Sequence, residues 1–409
     1  MRRRLAVACV VLALIAAGCG TGRTPPSPGG GAEAGVLEIG AALSLTGALA
    51  REGRLTRQGY ELCQDVINAQ GGVRVGDRTA RLDITYQDDK SQPDTAAQLV
   101  DGFNDQGVTL VLGPYGSAST EASSAVVERN GQVMVASAGA DDKIFAKGYQ
   151  RTFAVLSPAS HYVAAIVRAV AEQANPKPRT VAFLTADDGF SKTATEGGTA
   201  EAARQGMRVV AVESFPAHTT DVSAALTRIR PLSPDLILGS VHLQEGIAII
   251  KQSAELGVKP AGGFGETVAP PTPDFIQALG AQAEGVLGSS QWVPQSAGQD
   301  RYFGTAADYA RAFEATFGEA PEYHAAEASA ACLALALAVE QAGSADPDAV
   351  RTALASLDTS SFFGPLAFDE TGKNVTKPMA VVQIQDGKAV TVWPKEAAQA
   401  PLRWPAAPR

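Results

Sequence analysis

The stretch Val108-Thr-Leu-Val-Leu-Gly-Pro-Tyr-Gly-Ser-Ala-Ser-Thr-Glu121 decides the fold. Its first five residues carry no charge and are mostly aliphatic or β-branched, which reads as a strand buried on both faces. Gly113, Pro114 and Gly116 force a turn, and 118–128 supplies helix formers, so a helix follows with Ser117 at its N-cap. A helix that opens at the carboxyl end of a buried strand aims free backbone N–H groups at the crevice where open α/β sheets hold ligands. That terminus, with a hydroxyl beside it, suits a carboxylate or a phosphate. A second reading of Ser117 stays open at this point, in which the hydroxyl only caps its helix.

Working outward, short apolar runs alternate with amphipathic ones from residue 36 onward, the pattern of parallel sheets flanked by helices. Strands are expected at 36–43, 82–86, 108–112 and 132–136, with helices at 54–69 and 93–104 between them. After Arg151-Thr152-Phe153 a second series begins, with a helix at 160–173 and strands at 180–185, 208–213, 236–238 and 261–264. Two comparable halves emerge, alike in architecture and not in residues. The Ala- and Leu-rich helix at 322–342 is expected to be buried along much of its circumference.

The chain has 409 residues, 45% hydrophobic and 19% charged, enough for two lobes with a substantial core. A formal net charge of -9 with no sustained basic run beyond residue 4 argues against nucleic acid as a partner. Arg2, Arg3 and Arg4 precede an apolar run at 5–17 that is too short to span a bilayer, which reads as an export signal over 1–18. Cys19 follows in Ile15-Ala-Ala-Gly-Cys19, which resembles a bacterial lipoprotein box, and the Gly/Pro-rich segment 19–35 reads as a flexible tether from a lipid anchor in the membrane. Cys63 and Cys332 then remain, either paired or as two separate buried thiols.

No nucleophile elbow, Walker A sequence, HExxH or strand-linked GxGxxG occurs, and His161, His218, His242 and His324 have no metal-ligand spacing. Nothing in these patterns calls for a cofactor or a metal, and the acid pairs Asp88-Asp89, Asp141-Asp142 and Asp187-Asp188 read as caps and loop residues. A hydrolase built on Ser117 with His242 is the weakest reading.

The segments Ile39-Gly-Ala-Ala-Leu-Ser-Leu-Thr-Gly47, Gly59-Tyr-Glu-Leu, Asp65-Val-Ile-Asn-Ala-Gln-Gly-Gly72, Asp88-Asp89, Val111-Leu-Gly-Pro and Phe363-Gly-Pro-Leu-Ala-Phe-Asp369, in this order, resemble the leucine/isoleucine/valine-binding proteins of bacterial ABC importers. The resemblance implies an α/β, two-lobed periplasmic-binding-protein-like fold with a three-strand hinge crossing near Ala154, Ser290 and Thr376. One lobe would comprise 36–154 with 291–376, the other 155–290 with 377–393, and 394–409 reads as a disordered tail. It further implies a monomer that binds a small molecule between its lobes and serves an ABC permease and its ATPase; a ligand-sensing module for a signalling receptor is the alternative.

By that resemblance the carboxylate-binding hydroxyl falls on Ser117, the backbone of Ala138 and Ala140 shares the ligand's polar groups, and Glu266 partners its ammonium. An aromatic wall falls on Phe190, and Tyr115 is a further ligand-binding candidate. Two further aromatic positions fall on Glu52 and His242, which implies a more polar pocket and a polar amino acid, amide or urea-like ligand.

Overall fold

The computed structural model describes residues 35–405. The expected export signal, Cys19 and the tether lie outside the described residues, save Gly35.

In the first lobe the chain runs β1 (Gly35–Leu43), α1 (Ala50–Ala69), β2 (Val73–Val75), β3 (Arg78–Asp88), α2 (Pro93–Asp105) and β4 (Leu110–Leu112), then α3 (Ser117–Asn130), β5 (Val133–Ala136), the single turn α4 (Asp142–Phe145) and β6 (Thr152–Ala154). These strands form one sheet in the order β2-β3-β1-β4-β5-β6, parallel throughout except for the antiparallel β2. All residues of β4 and β5 are buried, as apolar runs without alternation require when helices cover both faces.

The second lobe follows as α5 (Tyr162–Gln173), β7 (Thr180–Ala186), α6 (Gly189–Arg204), β8 (Arg208–Phe215), α7 (Ser223–Ile229), β9 (Leu236–Ser240), α8 (Leu243–Leu256), β10 (Phe264–Glu266), α9 (Pro273–Leu279) and β11 (Leu287–Ser290). The chain then returns to the first lobe with the small hairpin β12 (Gln299–Asp300) and β13 (Gly304–Thr305), helices α10 (Ala306–Phe317), α11 (Tyr323–Ala342) and α12 (Pro347–Ala355), and the hairpin β14 (Asp358–Ser361) and β15 (Gly364–Ala367). Finally β16 (Ala380–Gln385) and β17 (Lys388–Trp393) add antiparallel to the second sheet, whose order is β17-β16-β11-β10-β9-β7-β8. The result is the two-lobed α/β architecture expected from the alternation.

Helix α11 is the spine of the first lobe. Its run of Ala and Leu is buried on nearly every side, and although it is long and apolar enough to cross a membrane, 78% of that span lies inside the protein. Small side chains let it lie close against α1, where a methyl group at Gly59 would stand 2.2 Å from the Ala325 carbonyl oxygen. The two helices are also joined covalently, since Cys63 on α1 and Cys332 on α11 form a disulfide with Cα atoms 6.2 Å apart. The pairing left open by the sequence is therefore resolved toward a bridge.

Three stretches pass between the lobes and are bonded to each other. Ser157 N–H donates to Gln291 Oε1 at 3.0 Å, Gln291 Nε2 returns a bond to the Ser157 carbonyl at 3.1 Å, and Ser157 Oγ donates to the Lys377 carbonyl at 2.8 Å. The Lys377 ammonium donates to the Gln291 carbonyl and lies 4.0 Å over the Phe363 ring.

The expectation of a disordered tail from Pro394 is corrected. The chain through Pro405 packs on the second lobe, because two buried glutamines of β16 need partners: Gln383 Nε2 donates to the Arg403 carbonyl at 2.9 Å and Gln385 Nε2 to the Pro401 carbonyl at 3.0 Å. Trp404 donates its indole N–H to the Pro176 carbonyl at 2.8 Å and stands against Gly262. Residues 406–409 lie outside the described residues.

Candidate functional site

The turn after β4 builds one wall of the site. Gly116, at φ +88°, is the N-cap of α3, a backbone angle that glycine adopts without strain. Ser117 is the first helical residue and makes no capping hydrogen bond, which corrects the sequence reading of it as the cap. Its Oγ instead accepts from the Asp141 N–H at 3.1 Å, tying the opening of α3 to the loop after β5. Among the described residues the hydroxyl hydrogen is left to whatever enters the cavity that Ser117 lines together with Tyr115, Ala138 and Ala140. The Ala140 carbonyl is already engaged, accepting from the Ala159 N–H at 2.7 Å.

The opposite wall comes from the second lobe and from α11. Phe190 at the start of α6, His242 just before α8, and Val268 just beyond β10 face Ser117 across the cavity, and Tyr323 and Glu327 enter from α11. Tyr162 meets Phe190 edge-on with ring centroids 5.1 Å apart, and Phe190 lies 5.4 Å from the His242 ring. The enclosed space here is small, about 30 Å³, and it shares Tyr115, His242 and Val268 with a wider outer cleft of about 370 Å³, the scale of a small-molecule site.

Charge on this wall is set by His242 and Asp188. Burial works against the charged imidazole, but its Nε2 lies 3.5 Å from Asp188 Oδ2, and that carboxylate, with Glu245 and Glu52 farther off, raises the His242 pKa to about 9. Asp188 in turn caps α6 by accepting from the Ser191 N–H at 2.8 Å; burial alone would push its carboxyl up, and His242 and Ser191 hold it below the usual range. A protonated His242 therefore stands at the cavity edge at neutral pH.

Not every residue expected at the site arrives there. Glu52 lines a wider outer cleft beside Arg51, His218 and Thr272, a cleft that His242 and Tyr115 also border, and it does not line the Ser117 cavity. Glu266 does not line that cavity either. It ends β10 fully buried, with its carboxylate turned away beneath α8, so that a methyl group at Gly246 would lie 2.3 Å from its Oε2. Neither oxygen has a partner among the described residues, and burial, with Glu245 nearby, pushes its pKa up to about 8. The acid that does line the cavity is Glu327, which nothing in the sequence pattern had singled out.

The two lobes meet at the cleft. Arg51 of α1 pairs with Asp274 of α9 as well as with Glu322, Lys143 of α4 pairs with Glu196 of α6 at 3.1 Å, and Thr193 Oγ1 donates to Asp141 Oδ1 at 2.6 Å. The Lys143 and Glu196 side chains are more than half exposed, and such pairs contribute only about 0–1 kcal/mol, so this contact is too weak to hold the cleft closed by itself.

A family model described as periplasmic binding protein matches residues 36–389. The chain belongs to the periplasmic binding protein family. This is a family of ligand-binding proteins and not of enzymes. Among the relatives of this periplasmic binding protein, Leu/Ile/Val-binding protein homolog 8 of Brucella abortus (strain 2308) is 24% identical over 383 residues, covering 90% of this chain and 93% of its own. Similar solved structures include the branched-chain amino acid transporter substrate binding protein LivJ from Streptococcus pneumoniae in complex with isoleucine, with a TM-score of 0.74, 23% identity, and coverage of 87% of this chain and 99% of that one. A solute binding protein of an ABC transporter from Rhodopseudomonas palustris BisB5 in complex with 3,4-dihydroxybenzoic acid gives a TM-score of 0.74 at 19% identity, covering 87% and 95%. At these identities the solved structures establish the fold.

Proposed function

We propose that this periplasmic binding protein is the extracytoplasmic solute-binding component of an ABC importer, anchored to the membrane through a lipid on Cys19. It holds a small carboxylate-bearing ligand, an amino acid or a related polar compound, between its lobes. A permease and its ATPase are the partners that read the closed form. The observation that carries this reading is the cavity between the lobes, with Ser117 and the start of α3 on one wall and Phe190 and His242 on the other. Relatives with branched-chain amino acid and benzoate-type ligands support a small organic acid. In this reading Ser117 donates to the ligand's carboxylate, Ala138 and Ala140 border the same group, and Tyr115, Phe190 and His242 enclose the rest.

The test is a thermal-shift screen of the purified protein against all amino acids, small amides and aromatic carboxylates. A ligand at about 100 times its dissociation constant stabilises the fold by roughly 2.7 kcal/mol, a visible shift. Absence of any shift across the panel would overturn the reading. With a ligand in hand, Ser117→Ala should weaken binding by about 1.5–3 kcal/mol, or roughly 10–100-fold, in calorimetric titration, as expected for a lost hydrogen bond to a charged group. An unchanged affinity would remove Ser117 from the site.

A further inference from the structure

Glu327 lies one helical turn beyond Tyr323 on α11, so the two side chains project from the same face into the cavity. It is only 2% exposed, and its Oε2 has no hydrogen-bond partner among the described residues. An unsatisfied buried carboxyl is destabilising, and its neighbours do not relieve it. Lys377, the cation that acts on it, is turned to the Gln291 carbonyl and the face of Phe363, and forms no ion pair with Glu327 among the described residues.

The rest of the lining sorts by chemistry. Ser117 and the opening of the 14-residue helix α3 present hydrogen-bond donors suited to an anion. Leu156, Tyr162, Phe190 and Val268 supply an apolar middle. Among the described lining residues of this cavity, Glu327 is the acidic one, and Glu266 is turned away under α8. A ligand that satisfies the whole cavity therefore carries an acid group, an apolar body and a separate hydrogen-bond donor.

We infer that Glu327 is a ligand-selecting residue, and that the cavity takes a small carboxylic acid bearing a hydroxyl or amine that donates to the Glu327 carboxyl. The inference rests on the interlobe binding reading above and deepens it. Burial, opposed by Lys377, holds Glu327 well above the ordinary carboxylate range, so the empty cavity keeps a neutral acid and avoids a bare buried charge. A donor that reaches the Glu327 carboxyl supplies a partner the protein leaves out.

The test is calorimetric titration with two matched pairs of probes, benzoate against 3,4-dihydroxybenzoate and 4-methylpentanoate against leucine, each with wild type, Glu327→Leu and Glu327→Gln. In at least one pair the donor-bearing member should bind wild type about tenfold or more tighter than its partner, and Glu327→Leu should erase that preference. Should the leucine variant not fold, the nearly isosteric Glu327→Gln decides, and it should cut the preference at least about threefold. Equal binding of both members of each pair to wild type, or a preference that survives in the folded variants, overturns the role of Glu327 while leaving the binding function intact. If none of the four probes binds, the proposed ligand class is overturned, and the wider screen judges the binding function separately.

Discussion

Replacing Glu266 with methionine should stabilise the folded chain, and the gain should grow as the pH rises. The Glu266 carboxyl is fully buried with both oxygens unpartnered among the described residues, and burial followed by the neighbouring Glu245 raises its pKa from 4.5 to about 8. A folded-state pKa above the unfolded value means the folded chain binds the extra proton. Its stabilising contribution is complete below about pH 4.5 and is lost as the pH climbs through about 8. The difference in unfolding free energy between Glu266→Met and wild type should therefore widen by about 3–4 kcal/mol between pH 5 and pH 9. Methionine has similar length and no charge to desolvate, and swaps of buried ions for well-packed apolar groups are often neutral or stabilising. Denaturant unfolding at pH 5, 7 and 9 measures the gap; one that stays constant within about 1 kcal/mol would mean Glu266 has found a partner, such as a ligand's ammonium.

Removing the disulfide should have an effect of similar size. Cys63 and Cys332 are both buried and 269 residues apart in sequence, so the bridge closes a very long loop in the unfolded chain. Chain-entropy arguments put the value for such a loop at about 5.6 kcal/mol, and measured bridges more often give about 2–4. Cys63→Ala with Cys332→Ala should lower stability by about 2–4 kcal/mol, seen as a fall in melting temperature of roughly 3–5 °C. The same variant should leave ligand affinity nearly unchanged, because neither cysteine lines the cavity. Two titratable thiols in the denatured, unreduced protein would show that the bridge does not form.

Much of the architecture was legible because it rests on periodicity. Uncharged runs such as Leu110-Val-Leu112 read as buried strands once glycine and proline bound them, and the helix expected at 93–104 is found as α2 at Pro93–Asp105. Three helices went unmarked: the single turn α4, α9 and α12. α9 is seven residues long with only Phe275 and Leu279 buried, too little to set a period, whereas α12 carries the legible signature of Asp346 capping and Pro347 at its first position.

The site was harder to read because it depends on side-chain direction. The resemblance named Glu266, but that side chain, at the last residue of β10, goes under α8, while Val268, past the strand's end where the alternation no longer holds, reaches the cavity. Glu327 was hidden by its context: in a run of Ala and Leu the pattern reads as core, and nothing local reveals that one turn of that core borders a cavity. Ser117 was located by the glycines before it, but its partner, the Asp141 N–H, is 24 residues away and comes from a separate loop.

The bonds among the three crossing stretches bear on how the cleft moves. Gln291 grips Ser157 with both ends of its amide, and the Lys377 ammonium holds the Gln291 carbonyl, so the three stretches form a laced ribbon instead of three loose cords. A ribbon bends most easily out of its own plane and resists bending within it. Such lacing should favour a swing of the lobes about the axis that runs across the three stretches. On the binding reading proposed above, a solute on either side of the cleft would wait for the same swing.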